Sequence, residues 1–114
     1  MPTYQIVTGT DKPINGAVDK TIIGAQGAGR ILRIMKAVIS VTVAAVGGAG
    51  EVALEDGAGG TRFFEADADA VGVFIVDWGD EGYPLTANTL LNATVDGAVT
   101  TQASARVSAI ARVL

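Results

Sequence analysis

Ile31-Leu32-Arg33-Ile34-Met35-Lys36-Ala37-Val38-Ile39-Ser40-Val41-Thr42-Val43-Ala44 is the stretch on which the fold turns. From Ala37 onward Ile39, Val41 and Val43 alternate with Ser40, Thr42 and Ala44. That is the period of two that arises when one face of a sheet meets a core and the other does not. The residues just before follow the opposite parity: Leu32 and Ile34 point inward and Arg33 outward, and unbroken continuation would bury Lys36. A bulge or bend near Met35 to Ala37 removes the conflict, because one extra residue on a strand switches the face of everything beyond it.

The same period recurs along the chain. Val52 and Leu54 alternate with Glu51 and Glu55, and Asp56-Gly57-Ala58-Gly59-Gly60 follows. Glycines that tolerate positive φ make this a hairpin signal, with Thr61 to Glu65 as the returning strand. Val71 to Trp78 is apolar on both parities, Val71, Val73 and Ile75 on one and Phe74, Val76 and Trp78 on the other. Such a pattern predicts a strand covered on both faces. Residues 79 to 84 read as a loop, and Leu91, Ala93 and Val95 alternate with Asn92 and Thr94 up to a turn at Asp96-Gly97. The final strand places Ala105, Val107, Ala109, Ala111 and Val113 inward and Arg106, Ser108 and Arg112 outward. No long window carries the three-and-four spacing of an amphipathic helix, and glycines interrupt most candidates. Seven or eight short strands at this spacing make an all-β chain: a single-domain antiparallel β-sandwich of jelly-roll type over residues 21–114. Residues 1–20 form an N-terminal arm or edge strand.

Composition bounds the chemistry. The 114 residues hold 8 Lys+Arg against 12 Asp+Glu, 15 Gly, and neither Cys nor His. One core suffices for that length. Disulfides, thiolate zinc sites, thiol nucleophiles and Ser-His-Asp triads are excluded. The acidic balance argues against a nucleic-acid partner, which would need clustered Lys and Arg to neutralise phosphates. The longest strongly apolar stretch, 37–46, falls well short of the ~20 residues a membrane helix needs. The opening residues show neither the positive region nor the apolar run of a signal peptide, so the expectation is a soluble protein made in a reducing cytoplasm, without cofactor or membrane partner.

Charge is distributed unevenly. Residues 1–36 carry Lys12, Lys20, Arg30, Arg33 and Lys36 against Asp11 and Asp19, and residues 106–114 add Arg106 and Arg112. Residues 37–105 carry ten acids and only Arg62. First and last strands commonly share a sheet in a jelly roll, so the two basic ends are expected to form one patch and the acidic middle another. Lys12, Lys20, Arg30 and Arg33 are the candidates for docking on an acidic protein surface. Phe74, Val76 and Trp78, joined by Leu90, are the candidates for a contact between subunits. The alternative is that the N-terminal arm of the same chain covers them through Ile6, Val7 and Ile14.

Other motifs weigh less. Glu65, Asp67, Asp69, Asp77, Asp80 and Glu81 are hard oxygen ligands but match no calcium loop, so no metal site is assigned. Gly24-Ala25-Gln26-Gly27-Ala28-Gly29-Arg30 lacks the Lys-Ser/Thr ending and the helix of a phosphate loop. Asn92-Ala93-Thr94 fits a glycosylation sequon but lies in a predicted strand. Met1-Pro2-Thr3-Tyr4-Gln5-Ile6-Val7 resembles the opening of the tautomerases, whose N-terminal Pro is a general base; that resemblance implies a strand-helix-strand repeat, of which the sequence shows no helix.

Over residues 20–114 the order of features resembles a class of small bacteriophage virion proteins with β-sandwich or jelly-roll folds. The residues that carry it are the Gly-rich lead into Arg30-Ile31-Leu32-Arg33-Ile34, the strand ending Val41-Thr42-Val43, the Leu54-Glu55-Asp56-Gly57 hairpin, and Gly82-Tyr83-Pro84-Leu85-Thr86-Ala87-Asn88-Thr89-Leu90-Leu91. The class includes head-decoration (cement) proteins, head-fibre subunits and tail knobs. The resemblance implies a non-enzymatic homotrimer that binds the major capsid protein on the virion surface. The knob alternative implies receptor or glycan binding, for which the loop from Asp77 to Tyr83, with Trp78, is the place.

Overall fold

The computed structural model describes residues 5–15 and 18–114. Nine strands follow in chain order: β1 (Gln5–Asn15), β2 (Asp19–Ile23), β3 (Leu32–Val43), β4 (Gly50–Asp56), β5 (Thr61–Asp67), β6 (Gly72–Asp77), the two-residue β7 (Tyr83–Pro84), β8 (Leu91–Gly97) and β9 (Ser104–Val113). The described residues contain no helix. The strand-helix-strand repeat implied by the tautomerase-like opening is therefore not the architecture found, and Met1 to Tyr4, which carry most of that likeness, lie outside the described residues.

Every named pairing is antiparallel, in two sheets. Sheet A runs β1-β9-β3-β6, with β7 also on β3, and sheet B runs β2-β8-β4-β5. The order has a simple origin. β4 pairs with β5, β3 with β6, β2 with β8 and β1 with β9, so the chain is one long ribbon nested around the β4–β5 hairpin. Successive pairs fall in alternate sheets, and β9 on β3 and β8 on β4 knit the folded ribbon together. This is the jelly roll that the strand pattern predicts.

The hairpin at its centre needs its glycines. Gly57 and Gly59 adopt φ of 83° and 73°, values that L side chains rarely tolerate. Around it, the inward parities of both sheets meet in one core built from Ile14, Ile22, Leu32, Ile34, Ile39, Val41, Val52, Leu54, Leu91, Val95, Val107 and Val113. The inward residues of β9, from Ala105 to Val113, are all buried as the alternation requires.

The bulge expected near Met35 is present: the β3–β9 register shifts between Ile34 and Lys36. Leu32, Ile34, Ala37, Ile39 and Val41 all reach the core and Lys36 stays exposed. A second shift between Val41 and Val43 corrects the expectation for Val43, which is exposed rather than buried. A third, between Leu54 and Glu55 in the β4–β5 ladder, leaves Phe63 as the extra residue. Phe63 and Phe64 consequently both pack against the core, which alternation alone forbids.

The largest correction concerns β6. Phe74 stands opposite buried Ile39, and Val76 opposite buried Ala37. That parity therefore faces the core, while Val71, Val73 and Ile75 are 67%, 62% and 63% exposed. The strand is covered on one face only. β1 does not cover the other, because it lies at the opposite edge of sheet A, paired with β9.

β1 also comes close to β2 of the other sheet. A Cβ at buried Gly9 would overlap the Ile22 carbonyl oxygen, so the absence of a side chain lets the two sheets meet at this edge. Gly9→Ala is expected to lower stability by about 1–3 kcal/mol, read as a drop in thermal midpoint. Gly72→Ala, where an added Cβ meets nothing within 4 Å, is the matched control and should change stability by less than about 0.5 kcal/mol.

Candidate functional site

The outward faces of the two sheets differ in chemistry, and those faces are the candidate site. On sheet B the outward parity is acidic. Asp96 stands beside Glu51, Glu51 beside Asp67, and Asn92 beside Glu55, with Glu65 one pair away opposite Ala53. One cation serves them. Arg62, opposite Glu55 on β5, reaches diagonally across β4 and donates from Nη1 to Glu51 at 2.8 Å and from Nε to Glu55 at 3.4 Å. Its Nη2 donates to Asp96, and Glu65 lies 3.8 Å from Nη1. Ala53 is fully buried although it faces outward; its small side chain occupies the row that Arg62 crosses.

Glu55 is the inner member of this network, 5% exposed. Its carboxylate accepts from Asn92 Nδ2 at 2.8 Å and from the Gly59 amide at 3.4 Å in addition to Arg62. A buried carboxylate persists in a fold only with such donors. Arg62 holds the Asp96 carboxyl below the usual carboxylate range through its hydrogen bond, whereas partial desolvation, followed by the neighbouring Asp96 and Glu65, pushes Glu51 up. Asp96, with its depressed value, adds stability that is lost as pH falls through that value; Glu51 acts in the opposite sense.

On sheet A the outward parity is basic and apolar. Arg33 of β3 stands directly opposite Arg112 of β9, Lys36 opposite Ile110, Val38 opposite Ser108 and Ser40 opposite Arg106. On the other side of β3, Val38 faces Ile75, Ser40 faces Val73 and Lys36 faces Asp77. Arg106 bonds Asp11 of β1 at 3.0 Å. Arg33 and Lys36 thus share one face with Arg106 and Arg112 through the pairing of β3 with β9; β1, which shares the sheet as expected, adds no base to it, since Lys12 pairs with inward Val107.

The residues singled out from sequence are only partly gathered there. Arg33 belongs to the basic face. Lys12 lies half-buried in β1, Lys20 is on β2 of sheet B, and Arg30 is in the β2–β3 loop. Lys36, Arg106 and Arg112 are the bases that join Arg33; the alternation of β9 already marks the last two as outward. Phe74, Val76 and Trp78 are half-buried against the core, so the exposed apolar parity of β6 passes to Val71, Val73 and Ile75. Leu90 is half-buried just before β8.

Trp78 joins an aromatic group that closes one edge of the sandwich. Phe63 stacks on Tyr83 with ring centroids 4.4 Å apart, and Trp78 lies 5.4 Å from Phe63 and 6.2 Å from Phe64. The acids suspected as cation ligands do not converge. Asp67 accepts from the Asp69 amide, Asp69 from the Gly50 amide and Asp77 from the Gly79 amide. Among the described residues no cluster of three or more His, Cys, Asp or Glu is arranged to hold a metal ion. Asn92 and Thr94 of the sequon are buried in β8.

Neither a protein-family model nor a curated protein matches the sequence. Solved structures do. A chain from the acidic stable capsid structure of Helicobacter pylori bacteriophage KHP30 matches with a TM-score of 0.50 and 15% identity, over 98% of this chain and 97% of that one. Chains from the infectious bursal disease virus Gx strain and from its VP2 subviral particle match with TM-scores of 0.44 and 0.45 at 17% and 15% identity, each over 97% of this chain. This chain spans 31% and 32% of their lengths. At these identities the likeness is one of fold.

Arg62→Ala strips the shared cation from Glu51, Glu55 and Asp96. It is expected to cost roughly 2 kcal/mol at pH 7, measured by denaturant unfolding. The difference from wild type should shrink as the pH is taken below about 4, where carboxylates protonate in both states. A deficit of equal size at pH 7 and pH 3 would assign the effect to packing instead of charge.

Proposed function

We propose that this chain is a non-enzymatic structural protein of a virion, which binds the outside of a phage capsid and stabilises it as a decoration or cement protein. The observation that carries the reading is the match, nearly end to end in both chains, between this jelly roll and a chain of comparable length in a phage capsid structure. The surface chemistry agrees with it. One broad face is apolar and basic, which suits adhesion; the other is acidic, which suits exposure to solvent.

The mechanism is physical. Apolar surface buried between this chain and the major capsid protein, with charge complementarity at the rim, ties neighbouring capsid subunits together. Binding to the assembled shell alone then shifts the shell's stability by mass action. The protein acts as a homotrimer. A three-fold assembly joins two different patches of each copy, and the half-buried aromatic edge formed by Phe63, Trp78 and Tyr83 is one of them. A glycan-binding knob would instead require a free ring on the loop from Asp77 to Tyr83, and the rings there lie against one another.

Purified protein added to shells of the encoding phage that lack it should bind to saturation and raise the temperature at which the shells come apart. Binding should weaken as salt is raised from about 0.05 to 0.5 M. Light scattering should return three times the chain mass of 11.5 kDa. Failure to bind shells defeats the decoration role, and a mass of one chain at every concentration defeats the trimer.

A further inference from the structure

We infer that the free edge of β6 is an interface between copies of this chain: β6 of one copy pairs antiparallel with β6 of a second about a two-fold axis, and their two A sheets become one. This goes beyond attachment to a shell and does not rest on it. The backbone makes the first argument. The Trp78 amide donates to the Met35 carbonyl, and these two residues flank the Lys36–Asp77 pair. Successive antiparallel pairs alternate between those that exchange hydrogen bonds and those that do not. Val73, Ile75 and Asp77 therefore turn their N–H and C=O groups away from β3, and β6 has no second neighbour in sheet A to receive them.

The other three sheet edges are guarded and this one is not. β1 carries Lys12 and Pro13 and shifts register between Gly9 and Lys12, with Asp11 at a φ of 51°. β2 opens on Asp19 and Lys20 and shifts register between Thr21 and Ile23. β5 carries Arg62, Glu65 and Asp67 and adjoins the shift between Leu54 and Glu55. Charge, proline and bulges are the devices that keep edge strands from pairing with other molecules. β6 runs along β3 without a shift, and its one charge, Asp77, is its last residue.

A strand laid on this edge has to be apolar on both faces. Its outward side chains continue the row of Val73 and Ile75, which are exposed, and its inward ones continue the row of Phe74 and Val76, which pack against the core. β6 itself has that pattern. Register follows from two constraints: paired residues share a face, and residues whose backbone groups point outward must oppose one another. Val73 opposite Ile75 of the second copy, with Ile75 opposite Val73 of that copy, meets both and keeps Asp77 beyond the apolar pairs. A shift one way sets Asp77 against Val73; a shift the other way brings it to Asp69, and like charges across a ladder are unfavourable. The strip buried falls short of the roughly 1,000 Å² that a stable interface in dilute solution needs, so the contact forms where copies are crowded side by side. It joins one patch to the same patch, whereas a three-fold contact joins two different ones, and is additional to the proposed trimer contact.

The chain has no Cys, so cysteines placed on β6 report the pairing. Opposed residues lie about 5.5 Å apart at Cα, within reach of a disulfide, and residues two positions out of register do not. Val73→Cys and Ile75→Cys, each first shown to keep the wild-type unfolding transition, are oxidised with diamide at high protein concentration, singly and as an equal mixture. Disulfides are assigned by mass spectrometry. The disulfide between the two variants should exceed that of either variant with itself about tenfold or more. Excess Cys-free wild type should compete it away, whereas excess Ile75→Pro should not, because proline there removes an N–H that faces the free edge and spares the ladder with β3. Should Ile75→Pro fail to fold, Val73→Lys/Ile75→Lys, which sets like charges across the axis, takes its place as the competitor. A mixed disulfide no more abundant than the self-disulfides, or equal competition by wild type and the edge variant, overturns the inference. Neither assay contains shells, so that failure leaves the decoration role standing, and failure of the decoration role leaves this contact standing.

Discussion

β9 holds the molecule together from its middle. It pairs with β1 along one side and β3 along the other, and its inward residues from Ala105 to Val113 are all buried. The C-terminal strand must therefore find partners roughly 70 and 95 residues earlier in the chain, a loop closure whose entropic cost comes before any contact rewards it. What rewards it is a side-chain pattern with no exception on the inward face, so that a one-residue slip would turn five apolar residues to water and two arginines to the core. Register is thus specified strongly where the topology is most costly.

The same pairing creates the chemistry of the surface. Because β3 and β9 are neighbours, bases separated by most of the chain, Arg33, Lys36, Arg106 and Arg112, share one outward face. The β4–β5 hairpin and β8, which carry much of the acidic middle, are committed by the nested ribbon to the other sheet. The opposed charges of the two faces follow from the topology. On sheet B the carboxylates are tolerated because Arg62 and Asn92 satisfy the most buried of them.

β6 is an edge strand with an exposed apolar face. Strands at sheet edges usually carry charge or proline that discourages pairing, yet β6 exposes Val73 and Ile75 beside Val38. Its other parity, Phe74 and Val76, is needed by the core, and with Trp78 it leads into the aromatic group that closes the sandwich between β5 and β6. Both parities are apolar, but only one of them is used by the core.

Period-two alternation is a local property, so the sequence alone determined the all-β class, the inward residues of β9 and β8, the glycine hairpin after β4 and the bulge at Met35, where the parity of Leu32 and Ile34 contradicts that of Ile39 and Val41. The bipolar charge was legible as well, since strand parity and the basic ends are both written in the chain. Tertiary structure alone decided the rest. Val43 and Phe63 change face because of register shifts set by their partner strands, and a bulge without an internal contradiction leaves no local trace. In Val71 to Trp78 alternation carries no information, because both parities are apolar; only the placement of Phe74 against Ile39 and Val76 against Ala37 shows which face is core and which is exposed. Lys12, Lys20 and Arg30 could be recognised as basic but not located, because proximity on a surface depends on which strands adjoin.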